Sequence, residues 1–119
     1  MYYFIERAVA IIKPKELFLN WVNLTFPDAA QITLESMRLD CNSYLIEPIN
    51  ELEDGINFID DKFAEIFTME LASWTEDEDK WPKNITLKMF WEWFDVEVHS
   101  TIIDLANNET ENEVNNTIH

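Results

Sequence analysis

Residues 89–100 read MFWEWFDVEVHS, and this stretch decides the fold because two different periods fit it. A helix over 85–106 meets no Gly, Pro or Asn, and it aligns one apolar stripe: Leu87, Phe90, Trp91, Phe94, Val98, Ile102 and Leu105. A strand over 95–103 instead separates Val96, Val98 and Ile102 from a polar face of Asp95, Glu97, His99 and Thr101. The helix accounts for more positions, so we predict a helix over 85–106 and keep the strand as the alternative.

The rest of the chain alternates short strands and helices. The clearest helix covers 55–74, where apolar residues recur at steps of three and four: Ile56, Ile59, Phe63, Ile66, Phe67, Leu71 and Trp74. Thr33 and Thr86 precede helical stretches and are predicted N-caps. The other predicted elements are a strand over 7–12, a helix over 15–24, a helix over 34–39 and a strand over 43–48.

These elements predict a small single domain of the α+β class over residues 1–106. It has two short strands and about four helices, of which the two longer ones are C-terminal; the alternative adds a third strand over 95–103. A length of 119 residues with 47% apolar side chains is enough for one buried core. Residues 107–119, NNETENEVNNTIH, are polar and are predicted to form a flexible tail.

The charge balance narrows the classes of partner. The chain carries 24 acidic and 8 basic side chains, for a net charge of −16. Nucleic acids and anionic membranes are repelled by such a surface, because binding them requires Lys and Arg against phosphates. Basic proteins are attracted instead. We therefore expect a basic protein partner, and neither direct nucleic-acid binding nor membrane association.

The numbers of glycine and cysteine residues indicate which cofactor sites and which cellular compartment fit the chain. The only glycine is Gly55, so a glycine-rich phosphate loop is excluded, and no cofactor is expected. Cys41 is the only cysteine, so no disulfide can form within the chain and a reducing compartment fits. The N-terminal stretch lacks the basic start of a signal peptide, and no apolar run has the length of a membrane span. We expect a cytoplasmic protein.

One set of residues could support chemistry. Asp95 and His99 stand four residues apart with Glu92 one helical turn earlier, so a helix would place all three on one face for acid–base or metal-assisted catalysis. Such a pair on a polar face is more often a solvated ion pair. Two neighbouring ligands also make no tetrahedral metal site. The sequence therefore predicts no catalytic residue and no metal ligand, and an enzyme using these residues is the alternative.

The acidic residues between 51 and 79 offer a stronger signal. On the predicted helix over 55–74 they lie mainly opposite the apolar stripe, and the loop over 75–80 continues the charge. A rigid row of carboxylates can occupy a basic groove, as an inhibitor or immunity-type protein of a nucleic-acid-binding enzyme would. The predicted partner-binding residues are Asp60, Asp61, Glu65, Glu76, Asp77, Glu78 and Asp79. A homodimer built on Trp91 and Trp93 is a further hypothesis.

Several short patterns carry a resemblance to a known family. These are Arg7-Ala8 followed by Lys13-Pro14-Lys15, Trp74 with Trp81-Pro82, and Met89-Phe90 with Trp93-Phe94, Glu97 and His99-Ser100. Over most of residues 7–105 the chain resembles a family of short acidic bacterial proteins of unknown function. The resemblance implies a bacterial cytosolic protein of single-domain size, and it assigns no catalytic residue.

Overall fold

The computed structural model describes residues 3–106, and the predicted tail over 107–119 lies outside them. The fold belongs to the α+β class, as the sequence predicts. Five strands and four α-helices follow in chain order: β1 (Tyr3–Ile5), β2 (Ala8–Pro14), α1 (Glu16–Thr25), α2 (Leu34–Met37), β3 (Asn42–Ile46), α3 (Leu52–Ala72), α4 (Leu87–Trp93), β4 (Phe94–His99) and β5 (Ile102–Asp104). Within residues 3–106 no helix is long and apolar enough to cross a bilayer.

Three strands form the main sheet, with β2 at its centre between β3 and β4. Both pairings are antiparallel, and Ile12 of β2 lies opposite Asn42 on one side and Val96 on the other. Burial alternates along β2, since Ala8, Ala10, Ile12 and Pro14 are buried and the residues between them are partly exposed. One face of the sheet therefore packs on the helices while the other faces solvent, as is common in antiparallel sheets.

The helix predicted over 85–106 is wrong. Helix α4 ends at Trp93, and residues 94–99 form strand β4, so α3 is the only long helix of residues 3–106. Along β4, Phe94 is buried and Val96 and Val98 are partly buried, whereas the intervening acids and His99 are exposed. The strand alternative is closer to the structure because β4 occupies the second edge of β2. That hydrogen-bonded pairing is a long-range interaction, and it outweighs the local helical pattern.

Lys15 explains why α4 stops where it does. The last carbonyl groups of a helix have no partner within it and must be satisfied elsewhere. The backbone N–H of Lys15 donates to the carbonyl of Trp93 at 2.8 Å, and its Nζ donates to the carbonyl of Trp91 at 3.1 Å. A cation at this end of a helix is also favoured by the helix dipole. The residue that follows β2 thus fixes the end of α4.

The core is aromatic and centres on Phe94, which is fully buried. Its ring centroid lies 5.0 Å from that of Phe18 in α1, 5.2 Å from Phe67 in α3 and 5.3 Å from Phe90 in α4. Aromatic pairs at such distances contribute about 0.5–1.5 kcal/mol each beyond burial of their area. The first residue of β4 therefore joins three helices to the sheet.

Several element boundaries differ from the predicted ones. Strand β2 continues through Pro14, which lacks an N–H but sits at the strand end, where β3 no longer pairs. Strand β3 covers Asn42–Ile46 rather than 43–48. Both predicted N-caps are confirmed, since Thr33 Oγ1 accepts from Ser36 and Thr86 Oγ1 accepts from Met89. The ribbon of β1 and β5 was not predicted, because strands of three residues carry no detectable period.

Gly55 gives a test of the packing of α3 on β4. This buried glycine lies against Val98, and a Cβ built on it would stand 2.7 Å from Val98 Cγ1. We expect Gly55→Ala to destabilise the protein by about 1–3 kcal/mol through overpacking. In a Val98→Ala background the same change should be neutral, or stabilise by up to about 1 kcal/mol through helix propensity. Urea denaturation of the four proteins measures this coupling, and equal effects in both backgrounds would contradict the packing.

Candidate functional site

The structure does not bring the three residues of the catalytic alternative together. Glu92 lies on α4, with its carboxylate 4.0 Å from Lys88 Nζ. Asp95 and His99 lie on the outer face of β4, where four residues along a strand span about 13 Å. Within residues 3–106, no group of three or more His, Cys, Asp or Glu side chains is placed to hold a metal ion.

The charged residues of the outer sheet face are paired with one another. Asp95 Oδ2 lies 3.4 Å from Arg38 Nη1, and Glu97 lies 2.6 Å from Lys13 Nζ and 3.2 Å from His99 Nε2. The hydrogen bond from Lys13 lowers the pKa of Glu97, with a smaller contribution from His99. This face therefore carries a balanced set of charges rather than an excess of acid.

His99 is not positioned to act as a general base for the Cys41 thiol. Cys41 precedes β3, whereas His99 ends β4 on the opposite edge of the sheet, with β2 between them. Burial raises the pKa of the Cys41 thiol, although Lys13 and Arg38 oppose the shift. Because the thiolate is the nucleophilic form, Cys41 lacks the environment of a reactive cysteine.

The acids predicted on α3 have different surroundings. Asp60 is partly buried, and its Oδ1 accepts a hydrogen bond of 2.8 Å from Trp91 Nε1, so it ties α4 to α3. Asp61 and Glu65 are exposed and stand four residues apart on the solvent side of the helix. Glu65 lies 3.7 Å from Lys62, an exposed pair of little energetic weight.

The aromatic residues suggested for a homodimer are largely packed inside. Trp91 and Trp93 are both partly buried. Trp91 donates to Asp60, and the ring of Trp93 lies 5.2 Å from that of Phe67 and 6.1 Å from that of Phe18. These rings therefore stabilise the packing of the helices on one another.

The acidic loop over 75–80 is an ordered turn. Glu78–Lys80 form one turn of 3₁₀-helix, and Asp77 is its N-cap, with Oδ1 accepting from the N–H of Asp79 at 3.1 Å. The N–H of Asp77 in turn donates to Thr75 Oγ1 at 3.1 Å. Asp77 therefore shapes the turn, while Glu76, Glu78 and Asp79 are exposed.

Hydrogen bonds from two tryptophan side chains hold the two ends of this turn in place. Trp21 Nε1 donates to the carbonyl of Lys80 at 2.9 Å, and Trp81 Nε1 donates to the carbonyl of Thr75 at 2.9 Å. Trp21 is buried in α1 and Trp81 packs against the core, so both donors come from the folded body of the protein. The carboxylates of the turn are consequently presented from a fixed backbone.

A second acidic feature lies at the C-terminal end of α3. Glu70 is only 5% exposed, and it is the only buried charged residue in the described part of the chain. It lines a cavity of about 220 Å³ together with the end of β2, the start of β3 and residues of α1 and α2. Glu70 is not among the residues predicted from the sequence to form a site. The signal was present, since Glu70 falls among Ile66, Phe67 and Leu71 on the apolar stripe.

Tyr44 and Asn42 of β3 hold the Glu70 carboxylate. The Tyr44 hydroxyl donates to Oε2 at 2.6 Å, and Asn42 Nδ2 donates to the same oxygen at 2.8 Å. Burial raises the pKa of Glu70 above its usual range, and these two hydrogen bonds partly offset the rise. Burial and the neighbouring carboxylate also raise the pKa of Tyr44, so its hydroxyl keeps the donated proton.

No protein-family model matches the chain, and neither the search of curated proteins nor the search of solved structures finds a match. The resemblance to short acidic bacterial proteins stays a prediction. Function is accordingly inferred from the geometry of the described residues.

The raised pKa of Glu70 predicts how stability changes with pH. The folded state binds its proton more tightly than the unfolded state, so the contribution of Glu70 is largest below the ordinary glutamate pKa of 4.5 and falls as pH rises through the folded pKa. We expect the unfolding free energy of the wild type minus that of Glu70→Gln to decrease from pH 4 to pH 8. Denaturant titrations at each pH measure it.

Glu47→Gln is the matched control, because Glu47 is an exposed glutamate just after β3. Both substitutions remove one negative charge, so long-range repulsion among the acids changes equally. The assignment would be contradicted if the unfolding free energy of the wild type minus that of Glu70→Gln rose with pH. It would also be contradicted if that difference equalled, at every pH, the one between the wild type and Glu47→Gln.

Proposed function

We propose that the protein is a non-enzymatic acidic interaction module that binds a basic protein partner in the cytoplasm. The contact uses an acidic surface formed by Asp61 and Glu65 of α3 with Glu76, Glu78 and Asp79 of the turn. The supporting observation is that Glu76, Glu78 and Asp79 are exposed on a hydrogen-bonded turn and form no ion pair within residues 3–106.

The contrast with the outer sheet face supports this choice of surface. On the sheet, Asp95 and Glu97 have cationic neighbours from the same chain. On the turn, the negative charge is unbalanced and remains available to a basic partner. Charges of this kind raise the rate of encounter and select partners of opposite sign.

The rigidity of the turn supports binding rather than mere solubility. Ordering a flexible loop on association costs free energy, and a loop ordered in the free protein avoids that cost. The hydrogen bonds from Trp21 and Trp81 order the turn before any partner arrives. An acidic segment that served only for solubility would need no such anchoring.

The arrangement of the acidic side chains indicates the class of partner. A row of carboxylates on a helix and an adjoining turn resembles the spaced negative charges of a nucleic-acid backbone, and a groove that binds phosphates is lined with Lys and Arg. The proposal therefore extends to an inhibitor or immunity-type protein that blocks a nucleic-acid-binding enzyme. The net charge of −16 opposes direct binding to nucleic acid or to anionic membranes.

Neutralising the turn tests the acidic surface. We expect the triple variant Glu76→Gln, Glu78→Gln and Asp79→Asn to lose about tenfold or more in affinity for the partner, because three unpaired charges are removed. The variant and the wild type are used to capture proteins from the source cells. Binding of each captured protein is then measured between low and high salt, where screening should weaken the wild type steeply.

The matched control carries the same change in charge at exposed acids elsewhere: Glu6→Gln, Glu35→Gln and Glu47→Gln. Its affinity should stay within about twofold of the wild type, since surface charges remote from the contact are largely screened. The proposal fails if both triple variants lose affinity equally, or if wild-type affinity does not depend on salt.

A further inference from the structure

The Glu70 cavity joins a buried carboxylate to a lining of mixed polar and apolar residues. Glu70, Asp40, Asn42 and Ser73 are among its polar residues, and Ile12, Phe18, Met37 and Trp74 are among its apolar ones. Trp74 is 36% exposed and stands directly before the acidic turn. One residue of the cavity lining is therefore adjacent in sequence to the acidic turn.

The hydrogen bonds of Glu70 are unevenly distributed. Oε2 accepts from both Tyr44 and Asn42, whereas Oε1 accepts from no group within residues 3–106. A carboxylate can accept about four hydrogen bonds. No buried side-chain oxygen or nitrogen of residues 3–106 lacks a hydrogen-bond partner, so the unpartnered Oε1 is reached by solvent and is open to a donor from outside the chain.

We infer that this cavity accepts an arginine side chain of the basic partner, with the guanidinium group hydrogen-bonded to Glu70 Oε1. The inference rests on the proposed function and names the anchor of that contact. Arginine is enriched at the centres of protein interfaces, where a few buried anchors supply most of the affinity. The acidic turn would steer the partner, and the cavity would hold it.

The dimensions of the cavity suit this occupant. A cavity of roughly 150 Å³ holds benzene, which has six heavy atoms. At about 220 Å³, the Glu70 cavity has room for the longer side chain of arginine. Its apolar lining residues can contact the methylene groups of that side chain.

The chemistry of the walls favours arginine over lysine. A guanidinium group is more weakly hydrated than an ammonium group, and it stacks on aromatic faces such as that of Trp74. It also forms a planar fork of donors that matches the geometry of a carboxylate such as that of Glu70. The guanidinium of Arg38 does not serve this purpose, because it is bound to the Pro14 carbonyl at 2.7 Å and to Asp95.

The test titrates the full chain with Nα-acetyl-arginine amide and follows two-dimensional ¹H–¹⁵N NMR spectra. We expect saturable shifts of the Trp74 indole N–H, the Asn42 side-chain amide and Ser73. The matched probes are the amides of citrulline, which has the same shape without the charge, and of lysine. Citrulline should cause no saturable shift, and lysine should bind at least about threefold more weakly than arginine.

Two variants locate the binding. Glu70→Gln should weaken arginine binding by about tenfold or more, because a buried charged partner is lost. Asp40→Asn, at an exposed residue that leaves the core untouched, should weaken it about threefold and serves if Glu70→Gln does not fold. Glu6→Gln, at an exposed acid outside both the cavity and the turn, should leave binding of the arginine amide unchanged. Shifts confined to residues 75–80, or equal binding of citrulline or lysine, would overturn the inference.

The two proposals can fail separately. If the partner needs the acidic turn while the arginine amide leaves Trp74 and Asn42 unshifted, the acidic surface stands and the anchor is wrong. If the arginine amide binds at Glu70 while no captured protein depends on the turn, the cavity stands and the acidic surface is wrong.

Discussion

The pairing of β4 with the central strand is the interaction on which the rest of the structure depends. It places Pro14 opposite Phe94, and at that point the chain changes from helix to strand. The ring of Phe94 then enters a cluster with Phe18, Phe67 and Phe90, one from each of three helices. Strand pairing and aromatic packing are thus joined at a single residue. Lys15, directly after β2, satisfies the carbonyl groups that the helix leaves free.

The change from helix to strand at Phe94 also determines which acidic side chains are paired with cations. Had residues 85–106 formed a helix, the acids of that segment would have stood on a solvent face beside His99. As a strand they lie on the outer sheet face, where Lys13 and Arg38 pair with Glu97 and Asp95. The hypothesis of a charge-driven binder therefore draws no support from residues 94–99. It rests instead on α3 and on the turn, where Glu76, Glu78 and Asp79 form no ion pair within residues 3–106.

Glu70 shows how a buried acid differs from its neighbours in sequence. Most acids of residues 51–79 are exposed, and their number gives the protein its charge without assigning any one of them a role. Glu70 occupies a position of the apolar stripe, so the packing of α3 on β3 draws its carboxylate out of water. Tyr44 and Asn42 make that burial tolerable by donating to one oxygen. A buried acid of this kind can be recognised in a sequence when a charged residue falls on the apolar stripe of a predicted helix. The helical period or the residue type alone does not identify it.

The sequence by itself determined the α+β class, the long helix α3, the two threonine caps and the excess of acid. Each of these follows from local pattern or from composition, which need no knowledge of distant residues. Tertiary structure decided that residues 94–99 form a strand. Their sequence fits both a helical and an alternating period, and such a segment adopts the conformation in which a neighbouring element completes its hydrogen bonds and buries its apolar side chains. It also decided which acids are paired, since Lys13 and Glu97 are 84 positions apart in the chain and meet only across the sheet.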